Sequence, residues 1–360
     1  MVGATPAASA AVTAAASPVV TAAASAAASA AVIPPVTPPA DVPGRSCPLA
    51  YCYTPAVFCR APQVSAQTLY VIGGLYGNPY ALDAIDAMAQ HEASAPTRIF
   101  NGDFHWFDLA PAVFATLHER VLEHVALRGN VETELAGDDH DAGCGCAYPL
   151  SVSDDEVARS NQILLALRKS AGKALGGARA SLIGLPIHLL AQVGAARVAI
   201  VHGDGNSLAG WDFSREQLDD PARRARNEQL FRTTDVTLFA SSHTCLPVLR
   251  RFRTDGKECG VINNGAAGMP NFAGTQHGVI SRIACTPAPA TLPVLYEKTF
   301  QQDGERLYAA ALAVHYDQTA WLQRFDTDWP SDSPASLSYR RRIVAGPDYA
   351  VRQACPAGFR

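Results

Sequence analysis

The sequence predicts an α/β protein in which two sheets pack face to face with helices outside them. Three observations carry this. Between residues 67 and 130, apolar strand-like runs alternate with helically spaced apolar positions. From residue 186 onward, strand-like runs dominate. Four of the apolar runs stop at a residue type that can hold a metal, namely Asp103, Asn130, His202 and His243. Alternating strands and helices mark the α/β class, and such sheets place their ligand sites at the carboxyl ends of strands.

The elements follow in order. Residues 1–44 are mostly Ala, Val, Thr, Ser and Pro, with no Lys or Arg before Arg45, so a secretory signal with a basic start is not expected. Prolines and β-branched residues deny this stretch an amphipathic helix, and it reads as a disordered Ala/Pro-rich tail. Residues 45–66 read as a linker, 67–330 as the main domain and 331–360 as a C-terminal extension. A strand at 67–72 meets the turn Gly73-Gly74-Leu75-Tyr76-Gly77-Asn78, and Pro79 opens a helix whose apolar side includes Leu82, Ile85 and Ala89. The next strand ends in Phe100-Asn101-Gly102-Asp103, a helix covers 111–122, and residues 123–127 lead to Gly129-Asn130.

Residues 137–148 read as a loop whose acidic run, Asp138-Asp139-His140-Asp141, is solvated. Ser153-Asp154-Asp155-Glu156 is a capping box for a helix to about Ala171, with Val157, Ile163, Leu164 and Leu167 on its buried side. Two strands, 186–192 and 197–201, form a hairpin turning at Gly194 and feeding His202. A charged, partly helical excursion at 207–232 is expected to overhang the site. Strands follow at 235–240, 248–252, 260–263 and 278–284, and a hairpin at 295–315 turns through Asp303-Gly304.

Composition narrows the function. With 360 residues, 48% hydrophobic and 17% charged, the chain suits one large domain or at most two. A net charge of -4 and a pI near 6.2 leave no footprint for nucleic acid or an anionic membrane. No uninterrupted apolar stretch is long enough to span a bilayer. Nine cysteines form no disulfide framework and no paired zinc-ribbon spacing, which fits the reduced thiols of a cytoplasmic protein.

Asp103 is the centre of the expected site. Gly102 lets the backbone turn sharply before it, and Asp, Asn, His and His make a mixed nitrogen/oxygen set suited to a first-row transition ion. Taken singly, each residue has a plainer reading: Asp103 as a turn cap, Asn130 as a turn former, His202 and His243 as core histidines.

The order of the blocks resembles that of the calcineurin-like metallophosphoesterases. Their Asp-x-His, Gly-Asp, Gly-Asn-His with an acid, strand-end His followed by Gly, and Gly-His-x-His motifs correspond here to Gly74-Leu75-Tyr76, Gly102-Asp103, Gly129-Asn130-Val131-Glu132, His202-Gly203-Asp204 and Ser242-His243-Thr244-Cys245. Asn263-Asn264-Gly265-Ala266 resembles the family's Asn-x-Gly-Ser strand end. The resemblance implies a four-layer α/β/β/α sandwich. It also implies a divalent transition metal (manganese, iron or zinc) held by Asp103, Asn130, His202 and His243; Asp204, two residues after His202, is a candidate to orient it. The family's second metal position is altered: Gly74, Tyr76 and Cys245 stand where it has Asp, His and His. One ion is therefore expected rather than two, with Cys245, Tyr76 or His105 as replacement ligands. Val131 stands where the family has a proton-donating histidine, and an apolar side chain cannot donate a proton.

The function implied is hydrolysis of a small phosphate ester; Tyr76, Trp106 and Trp211 suit either a pocket wall for an aromatic or nucleobase group or plain core packing. The alternatives are an inactive scaffold of the same fold with a protein partner, or a metal- or redox-sensing module using Cys245 with Cys144 and Cys146.

Overall fold

The computed structural model describes residues 42–137 and 142–356. Residues 1–41 of the expected tail, the acidic run Asp138-Asp139-His140-Asp141 and residues 357–360 lie outside the described residues.

The first half runs β1 (Val64–Ala66), β2 (Thr68–Ile72), α1 (Pro79–Ala89), β3 (Thr97–Asn101), α2 (Pro111–Leu122), β4 (Val125–Leu127), α3 (Asn130–Ala136) and α4 (Asp154–Leu175). The middle runs α5 (Ala180–Ile183), β5 (His188–Val193), β6 (Ala196–Val201), α6 (Arg215–Asp219), α7 (Arg224–Thr234), β7 (Leu238–Ser241), β8 (Pro247–Thr254) and β9 (Lys257–Asn264). The last part runs β10 (Gly278–Ala284), β11 (Val294–Gln302), β12 (Glu305–Val314), α8 (Gln318–Asp328), α9 (Pro334–Ala345) and α10 (Val351–Ala354).

The strands form two six-stranded sheets, β1-β5-β6-β7-β9-β8 and β11-β12-β10-β2-β3-β4. Period-two alternation explains how they stack. In β2, Leu69 and Val71 join the core between the sheets, with Ile200, Ala240 and Ile262 of the first sheet. Tyr70 and Ile72 point the other way, into a core closed by Leu82 and Ile85 of α1 and Phe114 of α2. On the far side, Val201 and Phe239 meet Leu218 of α6 and Phe231 of α7. The result is the expected α/β/β/α sandwich. Each fully buried Leu, Ile or Phe in these layers contributes about 1.5–3 kcal/mol.

Several local expectations shift. Residues 45–66 contribute β1, which pairs in parallel with β5 at Val64–Ala191. The 207–232 excursion supplies α6 and α7, and their apolar faces cover the outer side of the first sheet. In the C-terminal stretch, α9 carries Ser338, which accepts from Arg159 of α4 at 2.7 Å. No described helix is long and apolar enough to cross a membrane.

Two parallel runs set up the site. In the second sheet β2, β3 and β4 are parallel, and in the first β6, β7 and β9 are parallel. Asn101, at the end of β3, stitches the two together: its Nδ2 donates to the Val201 carbonyl at 2.9 Å, and its own carbonyl meets His202.

Candidate metal centre

Asp103 follows β3, Asn130 opens α3 after β4, His202 follows β6 and His243 lies just past β7. Four strand ends thus deliver the four side chains to one place. All four residues are at most 5% exposed. Ligand atoms of Asp103, His202 and His243 lie within 4.8 Å of one another. His202 Nε2 is central, 3.0 Å from Asn130 Oδ1, 3.1 Å from His243 Nδ1 and 3.4 Å from Asp103 Oδ2.

Hydrogen bonds on the far sides of these groups define what they point inward. His202 Nδ1 lies 2.9 Å from the Asn101 carbonyl, which only accepts, so Nδ1 carries the proton. His243 Nε2 lies 3.0 Å from the Cys146 carbonyl, so its proton is there. Asn130 Nδ2 donates to the Cys144 carbonyl at 2.9 Å, which turns Oδ1 inward. Three lone pairs and the Asp103 carboxylate therefore converge, and acceptors that close repel unless a cation or a proton lies between them. The donor set fits a first-row divalent ion, and each imidazole has the outer hydrogen bond typical of a metal-ligating histidine.

Without a cation, the electrostatics favour a proton in that gap. Burial resists charge on His202, but the Asp103 carboxylate, together with Glu132 and the Asn101 carbonyl, raises the imidazole above its usual range. Burial pushes Asp103 upward as well, yet His202 and then His243 hold it below the usual carboxylate value. Burial and the neighbouring His202 lower His243 to about 3, so its ring is neutral.

Backbone strain gathers here. Asp103, Tyr76 and Cys245 have φ of 51°, 54° and 59°. Non-glycine residues rarely adopt that region, and it recurs at functional sites. Gly129 is needed for close approach, because a Cβ there would stand 2.3 Å from Asp103 Oδ1 and 2.9 Å from His202 Cε1.

The remaining expected residues separate clearly. Tyr76 and Cys245 meet each other, phenol oxygen to thiol sulfur at 2.9 Å. A Cβ on Gly74 would lie 3.0 Å from the Tyr76 ring, so that ring stands against the position of the family's missing carboxylate. Burial raises both the phenol and the thiol, leaving each protonated at neutral pH. His105 is not brought to the cluster: Nδ1 binds Asp108 at 2.6 Å, Nε2 meets His118 at 3.3 Å, and the ring stacks on Phe114. Asp204 makes no bond to His202. It accepts from the backbone N–H groups of Asn206, Ser207 and Asp212, and burial followed by the Asp212 charge raises it to about 6. Trp211 stands edge-on to His243, ring centroids 5.4 Å apart, and donates to the same Cys146 carbonyl. Cys144 and Cys146 serve the site through these carbonyls. All nine thiols are free.

Glu132 is the residue that motif matching undervalues. Its fully buried carboxylate accepts from the N–H groups of Gly129 and Asp103 at 2.8 Å, Phe104 at 3.0 Å and His105 at 3.3 Å. It ties the Asp103 loop to the Asn130 loop. The sequence signals it twice, as the acid that closes the Gly-Asn block and as an acid three residues after Gly129, the spacing of a helix-start acid.

Layer order, sheet topology and the gathering of ligand-type residues at strand ends define the class: this chain has a metallophosphoesterase-like fold. The hypothetical protein PH1004 from Pyrococcus horikoshii OT3 superposes with a TM-score of 0.53 at 17% identity, covering 79% of this chain and 100% of that one. A metallophosphoesterase from Sphaerobacter thermophilus matches at TM-score 0.49 and 17% identity, covering 78% of this chain and 100% of that one. No protein-family model and no curated protein matches the chain.

Proposed function

We propose that this protein is a metal-dependent phosphoric ester hydrolase working with one metal half-site, made of Asp103, Asn130, His202 and His243. The observation that carries the reading is the convergence of lone pairs around His202 Nε2, each fixed by a hydrogen bond behind it. A divalent cation in that set supplies Lewis-acid polarisation of a phosphoryl oxygen.

The chain's own residues do the rest. The Asn101 and Cys146 carbonyls hold the two imidazoles in the tautomers that keep Nε2 of His202 and Nδ1 of His243 free. Glu132 holds the Asp103 and Asn130 loops together. The Tyr76–Cys245 pair supports the one-ion reading, since the phenol and the thiol are hydrogen-bonded to each other and each is raised toward its neutral form. Val131 offers no proton to a leaving group. The substrates that suit such a site are small phosphate esters with an acidic leaving group, such as aryl phosphates, which depart without general-acid help. Nine free thiols support a reducing, cytoplasmic setting.

A second reading, a non-catalytic scaffold for a protein partner, is favoured by the burial of the site, where Asp103 and His243 are each only 5% exposed. One experiment separates the two. Chelator-free protein, reloaded with manganese, iron or zinc, is expected to hold about one ion per chain and to hydrolyse 4-nitrophenyl phosphate; Asp103→Ala is expected to lose both. Metal without turnover favours the scaffold. Wild-type protein that takes up no metal overturns the proposal.

A further inference from the structure

The thiols divide by exposure. Of the nine, only Cys47, Cys52 and Cys59 are exposed. Cys59 stands by itself, its Sγ donating to the Thr233 carbonyl at 3.2 Å. Cys47 and Cys52 instead flank a single 3₁₀ turn, Leu49–Tyr51, in which Tyr51 N donates to the Pro48 carbonyl at 2.9 Å and Cys52 N to that of Leu49 at 3.0 Å. The turn folds the chain back on itself, and both sulfurs lie 3.9 Å from the same Pro48 oxygen. A hydrogen bond joins the two thiols. Access and a neighbouring thiol are what thiol–disulfide exchange requires, and this pair has both.

The backbone around the pair is pinned to the loop that follows His202. Cys52 forms an antiparallel bridge with Ser207, Tyr51 O accepts from Leu208 N at 3.0 Å, and Tyr53 N donates to Asn206 O at 2.8 Å. Cys47 Sγ lies 3.2 Å from the Ser207 hydroxyl. These bonds hold the chain on both sides of the turn, so the approach of the two sulfurs is built into the fold.

We propose that Cys47 and Cys52 form a reversible dithiol–disulfide site whose substrate is a small disulfide of the glutathione class. The Cys52 thiolate attacks one sulfur of the small disulfide; that S–S bond breaks, and the thiolate that leaves takes up a proton in place of the one Cys52 gave to water. The Cys47 thiolate then attacks Cys52 Sγ, the mixed disulfide breaks, and the second small thiol leaves with the proton of Cys47. The protein gives up two electrons and two protons, and the small disulfide gains them as two thiols. Burial raises the Cys47 thiol, the Ser207 hydroxyl opposes this, and the charge and hydrogen bond of Cys52 add to the rise. Cys52 therefore attacks first, and once it carries the small thiol its charge no longer holds the proton on Cys47.

The test reads thiols and needs neither metal nor turnover, so it stands apart from the hydrolase reading. The native full chain is incubated with glutathione disulfide, then denatured, labelled with iodoacetamide and cut with chymotrypsin, which cleaves after Tyr51, between the two cysteines. The parent is expected to take two fewer labels than the nine of the reduced chain, with the fragments carrying Cys47 and Cys52 joined until dithiothreitol is added. Cys59→Ser is expected to close in the same way. Cys47→Ser, left without its resolving thiol, is expected to retain glutathione on Cys52. Full labelling of the parent, a stable adduct on either of its two cysteines, or a link that involves Cys59 or a second chain overturns the proposal. So does a Cys47→Ser chain that takes up no glutathione.

Discussion

Glu132 shows how much of the candidate site rests on a residue outside the proposed ligand set. Four backbone N–H groups converge on one buried carboxylate. Burial, then the charge of Asp103, raises that carboxyl above its usual range. Glu132→Gln keeps the shape but turns an N–H₂ toward donors that need an acceptor. The variant is expected to lose about 3 kcal/mol of stability in urea unfolding, since hydrogen bonds to a charged group are worth about 1.5–3 kcal/mol each. Metal affinity should fall with it, because Asp103 and Asn130 are no longer tied together. An unchanged urea midpoint would show that the four bonds are replaceable.

At the scale of elements, the site is a property of strand ends and the turns just after them. Gly129 lies where β4 passes into α3, with ordinary backbone angles but no room for a side chain. Gly129→Ala is expected to keep the fold while its methyl group displaces Asp103 from His202, so metal content should drop by tenfold or more. Circular dichroism matching the parent, alongside normal metal content, would refute this. The altered half-site tests the opposite direction. With Gly74→Asp, Tyr76→His and Cys245→His combined, the ring standing against position 74 is gone and the family's ligand types return. Metal content is then expected to rise from about one to about two ions per chain. Asp tolerates the left-handed backbone at position 74, where φ is 63°. A content that stays at one would mean that the loop, rather than the side chains, excludes the second ion.

For the molecule as a whole, the proposed metal set is split between the sheets. Asp103 and Asn130 come from strand ends of the second sheet, His202 and His243 from those of the first. The set exists only while the two sheets stay packed, so an ion bound there stabilises the entire sandwich. At a hundredfold excess over Kd, the gain is about 2.7 kcal/mol. Added zinc or manganese is therefore expected to move one cooperative thermal transition upward, and to leave Asp103→Ala where it was. A split transition, with only half the molecule responding, would contradict this coupling.

Much was legible from residue order alone, for stated physical reasons. Period-two runs such as Leu69-Tyr70-Val71-Ile72 encode which face of a strand is buried. The Ser153 capping box encodes the start of α4, where Ser153 accepts from Glu156 N at 3.3 Å. Apolar runs ending in Asp103, Asn130, His202 and His243 encode delivery of those groups to a sheet edge, because strand direction and chain order are local. Which neighbours those groups would meet is a matter of long-range packing. His105 lies two residues from Asp103, yet its ring turns into a pocket with Asp108 and His118. Tyr76 and Cys245 are 169 residues apart and share a hydrogen bond. The carbonyls that aim Asn130 and His243 belong to Cys144 and Cys146, in a loop whose side chains gave no hint of it. Backbone carbonyls are the same in every residue, so no sequence pattern distinguishes the ones that orient a ligand; only the packed arrangement of both sheets and that loop does.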